Sequence, residues 1–274
     1  MPFDLGVGTG ADGRTVVTYS RCRREPSYAP SPDFSAASGC RLFAYDVQRR
    51  RERVVRGASR RFSARYLPRI AGHTLIFAAR PRRLRDGPPQ LYRLDLRKPG
   101  EVRQLAGGTK GDDGPDGDIE DIGPVDIDFD GRGLTYRWSY QAFCPPGGDV
   151  GQPVEREEIW LRTSDGSQRR VRSGGCFGDG ADLLASPALT PSRVSWLEID
   201  FDPADGGPER RVGVQARAIA RQVQVAAVAP TAVAARPLAH GWLTETQSTF
   251  DPRTGFYRTA LTRTSLKFSP RAGR

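Results

Sequence analysis

The sequence predicts an all-β protein in which a four-stranded unit is repeated along the chain. Residues 91–96 (LYRLDL) alternate in polarity like a half-buried strand, and a short strand closing on glycine follows at 103–108. Variants of this pair recur at 42–57 and 159–174. The 31 glycines and 22 prolines fit frequent turns, and apolar residues at helical spacing are almost absent. Recurrence of one strand unit is typical of repeat architectures.

Each unit is expected to hold four strands, with a short turn between the first and the second. These turns lie at 11–14, 71–73, 130–132, 190–192 and 239–240. The third strands begin at 42, 91, 159, 212 and 256, so the spacing is irregular. The extra residues lie in loops, which is typical of propeller repeats. The Ala/Val-rich run at 212–229 has helical length, but its alternating valines favour strands.

We therefore expect a β-propeller of about five four-stranded blades, with six as the alternative. It would form a single domain over residues 1–268, with a tail at 269–274. The expected blades are 1–57, 58–108, 120–175, 181–229 and 231–268. A further blade, or closure of the ring by a strand from the other terminus, stays open at this stage.

The first three units resemble the repeats of TolB-like (WD40-like) β-propellers of the secreted bacterial type. Residues 74–77 (TLIF), 91–96 (LYRLDL) and 103–105 (RQL) follow the order of that family's repeat: an aromatic-containing strand, a Leu-Tyr-x-x-Asp-Leu strand and an apolar closing segment. The fourth unit matches in part and the fifth faintly. The resemblance implies the fold and says little about activity, because propellers host unrelated functions.

The net charge of +10 comes almost entirely from arginine. Only Lys98, Lys110 and Lys267 are lysines among the 42 basic residues, a bias that a GC-rich genome produces without any anionic partner. The densest tract, 49–65, holds eight arginines. No RNP-type motif, zinc-finger spacing or helix-turn-helix pattern accompanies it, so we expect a solvated basic rim and no nucleic-acid partner.

The cysteines predict disulfides and, through them, a compartment. They are Cys22, Cys40, Cys144 and Cys176. If the strands of a unit alternate in direction, the pairs Cys22–Cys40 and Cys144–Cys176 are reachable, although the connectivity stays open. Disulfides favour a secreted or envelope location. The given chain opens without a signal-peptide pattern, so a cytoplasmic protein with four reduced thiols is the alternative.

One acidic motif suggests a cation site. Asp126, Asp128 and Asp130, followed by Gly131, match the first half of a D-x-D-x-D-G calcium loop. The twelfth position is Arg137 rather than glutamate, and apolar residues alternate with the aspartates as in a strand. Bound Ca²⁺ at these three aspartates is therefore one hypothesis, and a solvated strand and loop is the other. No other cofactor is expected.

Catalytic motifs are few. No G-x-S-x-G elbow occurs, and neither His73 nor His240 has a nucleophile nearby in sequence. No stretch approaches the ~20 apolar residues of a membrane span. We expect a monomeric, non-catalytic module that binds a protein or surface ligand through the loops 23–39, 107–123 and 144–157. The alternative is a propeller-type hydrolase or lyase acting on a glycan or lactone, with Asp126, Asp128 and Asp182 as candidate carboxylates.

Overall fold

The computed structural model of the protein is built from strands. It describes residues 3–23, 38–57, 61–82, 88–98, 100–105, 121–142, 154–174, 182–200, 209–218, 223–227, 232–238, 241–251 and 256–264. Over these ranges the chain forms nineteen strands and no helix. The prediction of an all-β protein is confirmed. Within the same ranges, no helix is long and apolar enough to cross a membrane.

The strands follow one another in short antiparallel runs. In chain order they are β1 (Phe3–Gly10), β2 (Thr15–Arg21), β3 (Arg41–Asp46), β4 (Arg51–Val54), β5 (Phe62–Gly72), β6 (Thr74–Pro81), β7 (Gln90–Asp95), β8 (Val102–Gln104), β9 (Asp121–Phe129), β10 (Gly133–Ala142), β11 (Val154–Thr163), β12 (Gln168–Ser173), β13 (Asp182–Leu189), β14 (Arg193–Asp200), β15 (Glu209–Ala216), β16 (Val223–Ala227), β17 (Ala232–Leu238), β18 (Gly241–Asp251) and β19 (Phe256–Thr264). The sheets have the orders β4-β3-β2-β1-β5-β6-β7-β8, β12-β11-β10-β9, β13-β14-β15-β16 and β17-β18-β19. The expected fourth strand of the last unit, 265–268, lies outside the described residues.

The chain divides into two compact units. The first comprises residues 1–111 and 121–132, and the second comprises residues 112–120 and 133–274. In the first unit, β1–β4 and β5–β8 are two antiparallel four-stranded halves. They join where β1 and β5 run parallel, with Thr9 opposite Ala71 and Gly10 opposite Gly72. Each half corresponds to one predicted blade.

Apolar residues of both halves form the core of the first unit. Its buried members are Val16, Leu42, Ala44, Val55, Phe62, Ile70, Leu75, Phe77, Ala79, Tyr92 and Leu94. The ring centroid of Phe62 lies 4.5 Å from the ring centroid of Tyr92 and 5.8 Å from that of Phe77. Aromatic contacts at these distances add to the free energy gained by burying apolar surface. The two halves therefore share one hydrophobic core.

In the second unit, tryptophans fill the core. Trp138 and Trp196 are fully buried, and Trp160 is nearly so. Trp196 packs with Ile159, Leu184 and Val194. A methyl group added at Gly213 would lie 2.3 Å from the Trp196 indole, so only glycine leaves room for this ring. Packing accounts for these three tryptophans without a ligand.

Aspartate–glycine turns close several hairpins. The carboxylates of Asp12, Asp130 and Asp165 each accept a hydrogen bond from the backbone N–H two residues later. The glycines that follow, Gly13, Gly131 and Gly166, all have positive φ. An aspartate that bonds its own turn before a glycine is a common way to form a tight reversal. The turns at Asp12 and Asp130 lie where the sequence predicts them.

The first strands carry a feature that the sequence analysis missed. Asp4, Leu67, Gly123 and Ser186 have φ between 50° and 108°. The pairing of β1, β5 and β13 with the following strand shifts register at these points, so each of these three strands contains a β-bulge. Because left-handed backbone is costly for residues other than glycine, its recurrence marks a built-in bend.

Candidate functional site

A cleft of about 600 Å³ opens at the edge of the first unit where the β1–β2, β3–β4 and β5–β6 turns meet. We call it the turn-edge cleft. It is lined by Gly10, Ala11, Asp12, Val16, Ala44, Asp46, Arg49, Arg51, Glu52, Arg53, Gly72, His73, Leu96 and Arg97. Among these residues none carries a hydroxyl or thiol nucleophile. Its walls are mainly arginines and carboxylates over a small apolar floor.

Hydrogen bonds between neighbouring turns fix the shape of the cleft. The backbone N–H of Val47 donates to Thr15 O at 3.1 Å, and the backbone N–H of Thr15 donates to Gln48 Oε1 at 3.1 Å. In the other half, Leu96 N–H donates to His73 O at 2.8 Å. His73 therefore takes part in the turn through its backbone, which agrees with the turn role expected from its position. The cleft is a preformed surface rather than a gap between loose loops.

Each carboxylate that lines the cleft has an arginine partner. Asp12 pairs with Arg14 at 2.9 Å, and Asp46 lies 3.9 Å from Arg49. Glu52 pairs with Arg21 at 2.7 Å and accepts a hydrogen bond from the Tyr19 hydroxyl. These pairs neutralise the acidic groups of the wall.

Hydrogen bonds also favour the ionised form of two of these carboxylates, Asp12 and Glu52. The Arg14 backbone N–H lowers the pKa of Asp12, and the Tyr19 hydroxyl lowers the pKa of Glu52. Beside the cleft, the Arg97 guanidinium lowers the pKa of Asp95. A general acid needs a pKa near the working pH. With lowered pKa values, Asp12, Glu52 and Asp95 are poorly suited to act as general acids near neutral pH.

A second charged group lies on the first strands of the same unit. Arg69 on β5 is buried, and its guanidinium is 3.6 Å from the half-buried carboxylate of Asp126 on β9. Arg69 Nη1 also donates to Asp4 O at 3.4 Å and Pro68 O at 3.0 Å. The Asp4 carboxylate accepts from Leu67 N–H at 3.2 Å. Burial raises the pKa of Asp4 to about 7.

The aspartates of the predicted calcium motif have separate roles where the structure describes them. Asp126 faces Arg69, and Asp128 is half-buried on the same strand. Asp130 is exposed, and its carboxylate accepts from Arg132 N–H at 2.9 Å. In the described part of the chain, no group of three His, Cys, Asp or Glu side chains is placed to hold a metal ion. Bound Ca²⁺ stays a prediction.

Buried carboxylates of the second unit have structural partners. Glu157 accepts from Arg137 Nη1 and from Leu184 N–H, both at 2.7 Å. Glu198 accepts from the Trp196 indole N–H at 2.7 Å and pairs with Arg172 at 2.9 Å. These two glutamates accept hydrogen bonds from buried donors of the core. The side chain of Asp182, a candidate carboxylate, lies outside the described residues.

The first predicted disulfide is present. Cys22, just after β2, is bonded to Cys40, just before β3, across a separation of 18 residues. Cys144 and Cys176 lie outside the described residues, as do His240 and most of the loops 23–39, 107–123 and 144–157. The pair Cys144–Cys176 therefore stays a prediction.

Sequence reasoning missed Asp4 and Arg69. The available signal was the recurrence of proline in the first strands, at Pro68, Pro124 and Pro187, each next to a positive-φ residue. That pattern points to a bulge, where a strand re-aims its side chains.

Comparisons with known proteins identify the fold. The chain matches a β-propeller chain of the nidogen/laminin complex with a TM-score of 0.50 at 10% identity, covering 93% of this chain and 78% of the other. Two further matches are the β-propeller domain of the trilobed protease from Pyrococcus furiosus (TM-score 0.47, 9% identity, 100% and 83% covered) and an endo-arabinase from Bacteroides thetaiotaomicron (0.43, 10%, 96% and 94%).

Sequence comparisons add no family. No protein-family model matches the chain, and no curated protein matches it in sequence. The four-stranded halves and sheets described above agree with the propeller match. The chain is therefore a β-propeller, as its repeated strand units predict.

Proposed function

We propose that this protein is a non-catalytic binding module, a TolB-like β-propeller that holds a protein segment or surface ligand. The observation that carries the proposal is the turn-edge cleft, a formed concavity whose carboxylates are all paired with arginine. Arg51 and Arg53 line it and are exposed. Such a wall offers planar donors for carboxylates and backbone carbonyls of a partner.

The module would work in the cell envelope or outside the cell. The Cys22–Cys40 bond supports this location, because disulfides persist in oxidising compartments. Alkylation of thiols in intact cells, followed by denaturation, measures the state of the cysteines directly. Cysteines that resist alkylation until the protein is reduced agree with the proposal. Four reduced thiols would place the protein in the cytoplasm.

The cleft is tested by reversing its charge. Arg51→Glu with Arg53→Glu changes two exposed side chains of β4 and leaves the core intact. The matched control is Arg193→Glu, an exposed arginine at the start of β14 in the second unit. In a pull-down from the native envelope fraction, we expect a partner that the unchanged protein and the control retain and the cleft variant loses.

Two outcomes would contradict the binding role of the cleft. One is that every species captured by the unchanged protein is also captured by the cleft variant. The other is that size-exclusion chromatography with the partner gives the same complex for both. A monomer in the absence of partner is the expected starting state.

The second candidate is a propeller-type hydrolase or lyase acting on a glycan or lactone. The observation that favours it is the group formed by Asp4, Arg69 and Asp126. A buried carboxyl with a pKa near 7 can donate a proton at neutral pH, and a second carboxylate close to the same arginine could act as base. Of the carboxylates named from the sequence, Asp126 belongs to this group, and Asp4 joins it as a carboxyl that the sequence analysis did not name.

Activity on a panel of glycosides and lactones decides between the two. An enzyme should lose turnover in Asp4→Asn and Asp126→Asn and keep it in Asp12→Asn, which changes an exposed turn. The binding proposal expects no turnover by the unchanged protein. Turnover that Asp4→Asn and Asp126→Asn abolish would replace it.

A further inference from the structure

A small pocket at the opposite edge of the first unit is built from arginines. It measures about 260 Å³ and is lined by Arg23, Gly39, Cys40, Arg41, Phe62, Ser63, Arg65 and Arg82. We call it the arginine pocket. It adjoins the Cys22–Cys40 bond, where β2 ends and β3 and β5 begin. Among its described lining residues, none is acidic.

Arg65 forms the base of the pocket and is 93% buried. Its Nη2 donates to Cys40 O at 3.1 Å. A guanidinium has five N–H donors, so this bond leaves most of them for other acceptors. Buried arginines ordinarily face a carboxylate, because an uncompensated charge away from water is costly. The charges that act on Arg65 come instead from Arg41 and Arg82, and with burial they lower its pKa.

The flanking arginines are held in place by the backbone. Arg82 Nε donates to Phe62 O at 3.2 Å, and the Arg82 N–H donates to Arg61 O at 2.9 Å. The aliphatic part of the Arg23 side chain packs on Gly39, and a methyl group added at Gly39 would lie 3.1 Å from Arg23 Cγ and Cδ. Within the described residues, no ion pair is formed by Arg23, Arg41 or Arg82. The cluster is therefore positioned and lacks a counter-charge there.

We propose that the arginine pocket is a binding site for a tetrahedral oxyanion, the phosphate group of a phosphomonoester or free phosphate. Four arginines line a volume of about 260 Å³, so a single carboxylate would leave a large excess of positive charge. A dianion balances more of it. Its oxygens also point in several directions, which suits donors arriving from β3, β5 and the end of β6, and arginine matches phosphate geometry with paired hydrogen bonds.

The site lies at the other edge of the sheet from the turn-edge cleft, so the two proposals stand independently. The β1–β2 and β5–β6 turns lie at the cleft, and the disulfide and the end of β6 lie at the pocket. Loss of phosphate binding would leave the cleft unaffected. Loss of partner capture by the cleft variant would leave the pocket unaffected.

Calorimetric titration of the oxidised protein with inorganic phosphate tests the site, with ionic strength held constant by chloride. We expect saturable one-to-one binding and a rise in melting temperature with phosphate, because a ligand bound only by the folded state stabilises it. Arg41→Gln and Arg82→Gln should each weaken binding about tenfold or more, since each removes charge-assisted bonds. Arg103→Gln, an exposed arginine on β8 away from the pocket, should change it less than about twofold.

The comparison of ligands identifies the source of the phosphate. Glycerol phosphate that competes as well as inorganic phosphate points to a phosphomonoester, and binding of the inorganic ion alone points to free phosphate. The proposal fails if the unchanged protein shows no saturable heat with phosphate. It also fails if acetate binds equally well, or if Arg41→Gln and Arg82→Gln bind like Arg103→Gln.

Discussion

Arg65 in the first unit and Arg137 in the second are buried to the same depth, with 7% and 8% of their surface exposed. Arg137 Nη1 donates to Glu157 and to Leu184 O, each at 2.7 Å. Arg65 donates to one backbone carbonyl, Cys40 O, and is repelled by the positive charges of Arg41 and Arg82. The same residue type at the same depth thus has a carboxylate in one unit and like charge in the other.

This difference separates a structural arginine from a candidate binding arginine. The Arg137–Glu157 pair satisfies both charges within the core, and Glu157 also accepts from Leu184 N–H at 2.7 Å. The charges of this pair are therefore compensated without a ligand. At Arg65 the compensating charge is missing among the described neighbours, so an anion would supply what a glutamate supplies at Arg137.

Removing the carboxylate at Glu157 would make Arg137 resemble Arg65. We expect Glu157→Ala to lower the free energy of unfolding by about 3–5 kcal/mol, because the buried Arg137 guanidinium loses its counter-charge and the Leu184 N–H loses its acceptor. Urea unfolding measures the change. The matched control is Glu101→Ala, whose pair with Lys98 is exposed and should matter by less than about 1 kcal/mol. Similar small losses in both variants would show that the buried pair contributes nothing.

Removal of the Cys22–Cys40 disulfide is expected to have the next largest effect on stability. We expect Cys22→Ser with Cys40→Ser to lower the free energy of unfolding by about 3 kcal/mol, the loop-entropy value for 18 residues. Because Cys40 O holds Arg65, phosphate binding should weaken as well. The Arg137–Glu157 pair serves as the internal reference, since Glu157→Ala should cost the same with or without the disulfide. A stability equal to that of the unchanged protein would contradict the expected contribution.

The strand units were predictable because local pattern sets them. The alternation in 91–96 and the Asp-Gly turns at 12–13 and 130–131 are read from neighbours in sequence, and β7 and both turns lie there in the structure. The Cys22–Cys40 bond was predictable for the same reason, since both cysteines lie at the ends of adjacent strands.

The arginine pocket was not predictable because it depends on pairing between strands. Arg41, Arg65 and Arg82 are 24 and 17 residues apart in sequence, and only the register of β2–β3 and β5–β6 brings them together. The tract 49–65 looked like a uniform basic rim, yet Arg65 is buried and Arg53 is exposed. A β-bulge at Leu67 lies between the two buried arginines of β5, which no local pattern would locate.

Arg69 is buried like Arg65 and Arg137, and its carboxylate partner, Asp126, is only half-buried. Its neighbour Asp4 makes the stability of this region depend on pH. Burial raises the pKa of Asp4 to about 7, above its ordinary value of 3.8. A carboxyl with a raised pKa in the folded state binds protons more tightly there, so its stabilising contribution is complete below about pH 4 and is lost as the pH rises to 7. Stability should therefore fall across that range.

Asp4→Asn should remove this pH dependence. The amide keeps an acceptor for Leu67 N–H and carries no charge, so we expect the variant to match the unchanged protein at pH 4 and to exceed it by about 2 kcal/mol at pH 8. Urea unfolding at a series of pH values measures the difference. Asp12→Asn, at an exposed turn, is the control. Parallel pH profiles for Asp4→Asn and the unchanged protein would show that Asp4 ionises normally.

The smallest expected effect is the sharpest test of the comparison. Without phosphate, Arg65→Met should change the free energy of unfolding by no more than about 1 kcal/mol: the Cys40 carbonyl loses a donor, but an apolar chain replaces a charge facing like charges. Arg137→Met leaves Glu157 buried without its partner and should cost about 3–5 kcal/mol. Phosphate should stabilise the unchanged protein and Arg137→Met alike, and leave Arg65→Met unaffected. If Arg65→Met is as damaging as Arg137→Met in the absence of phosphate, Arg65 is already compensated within the fold and needs no anion.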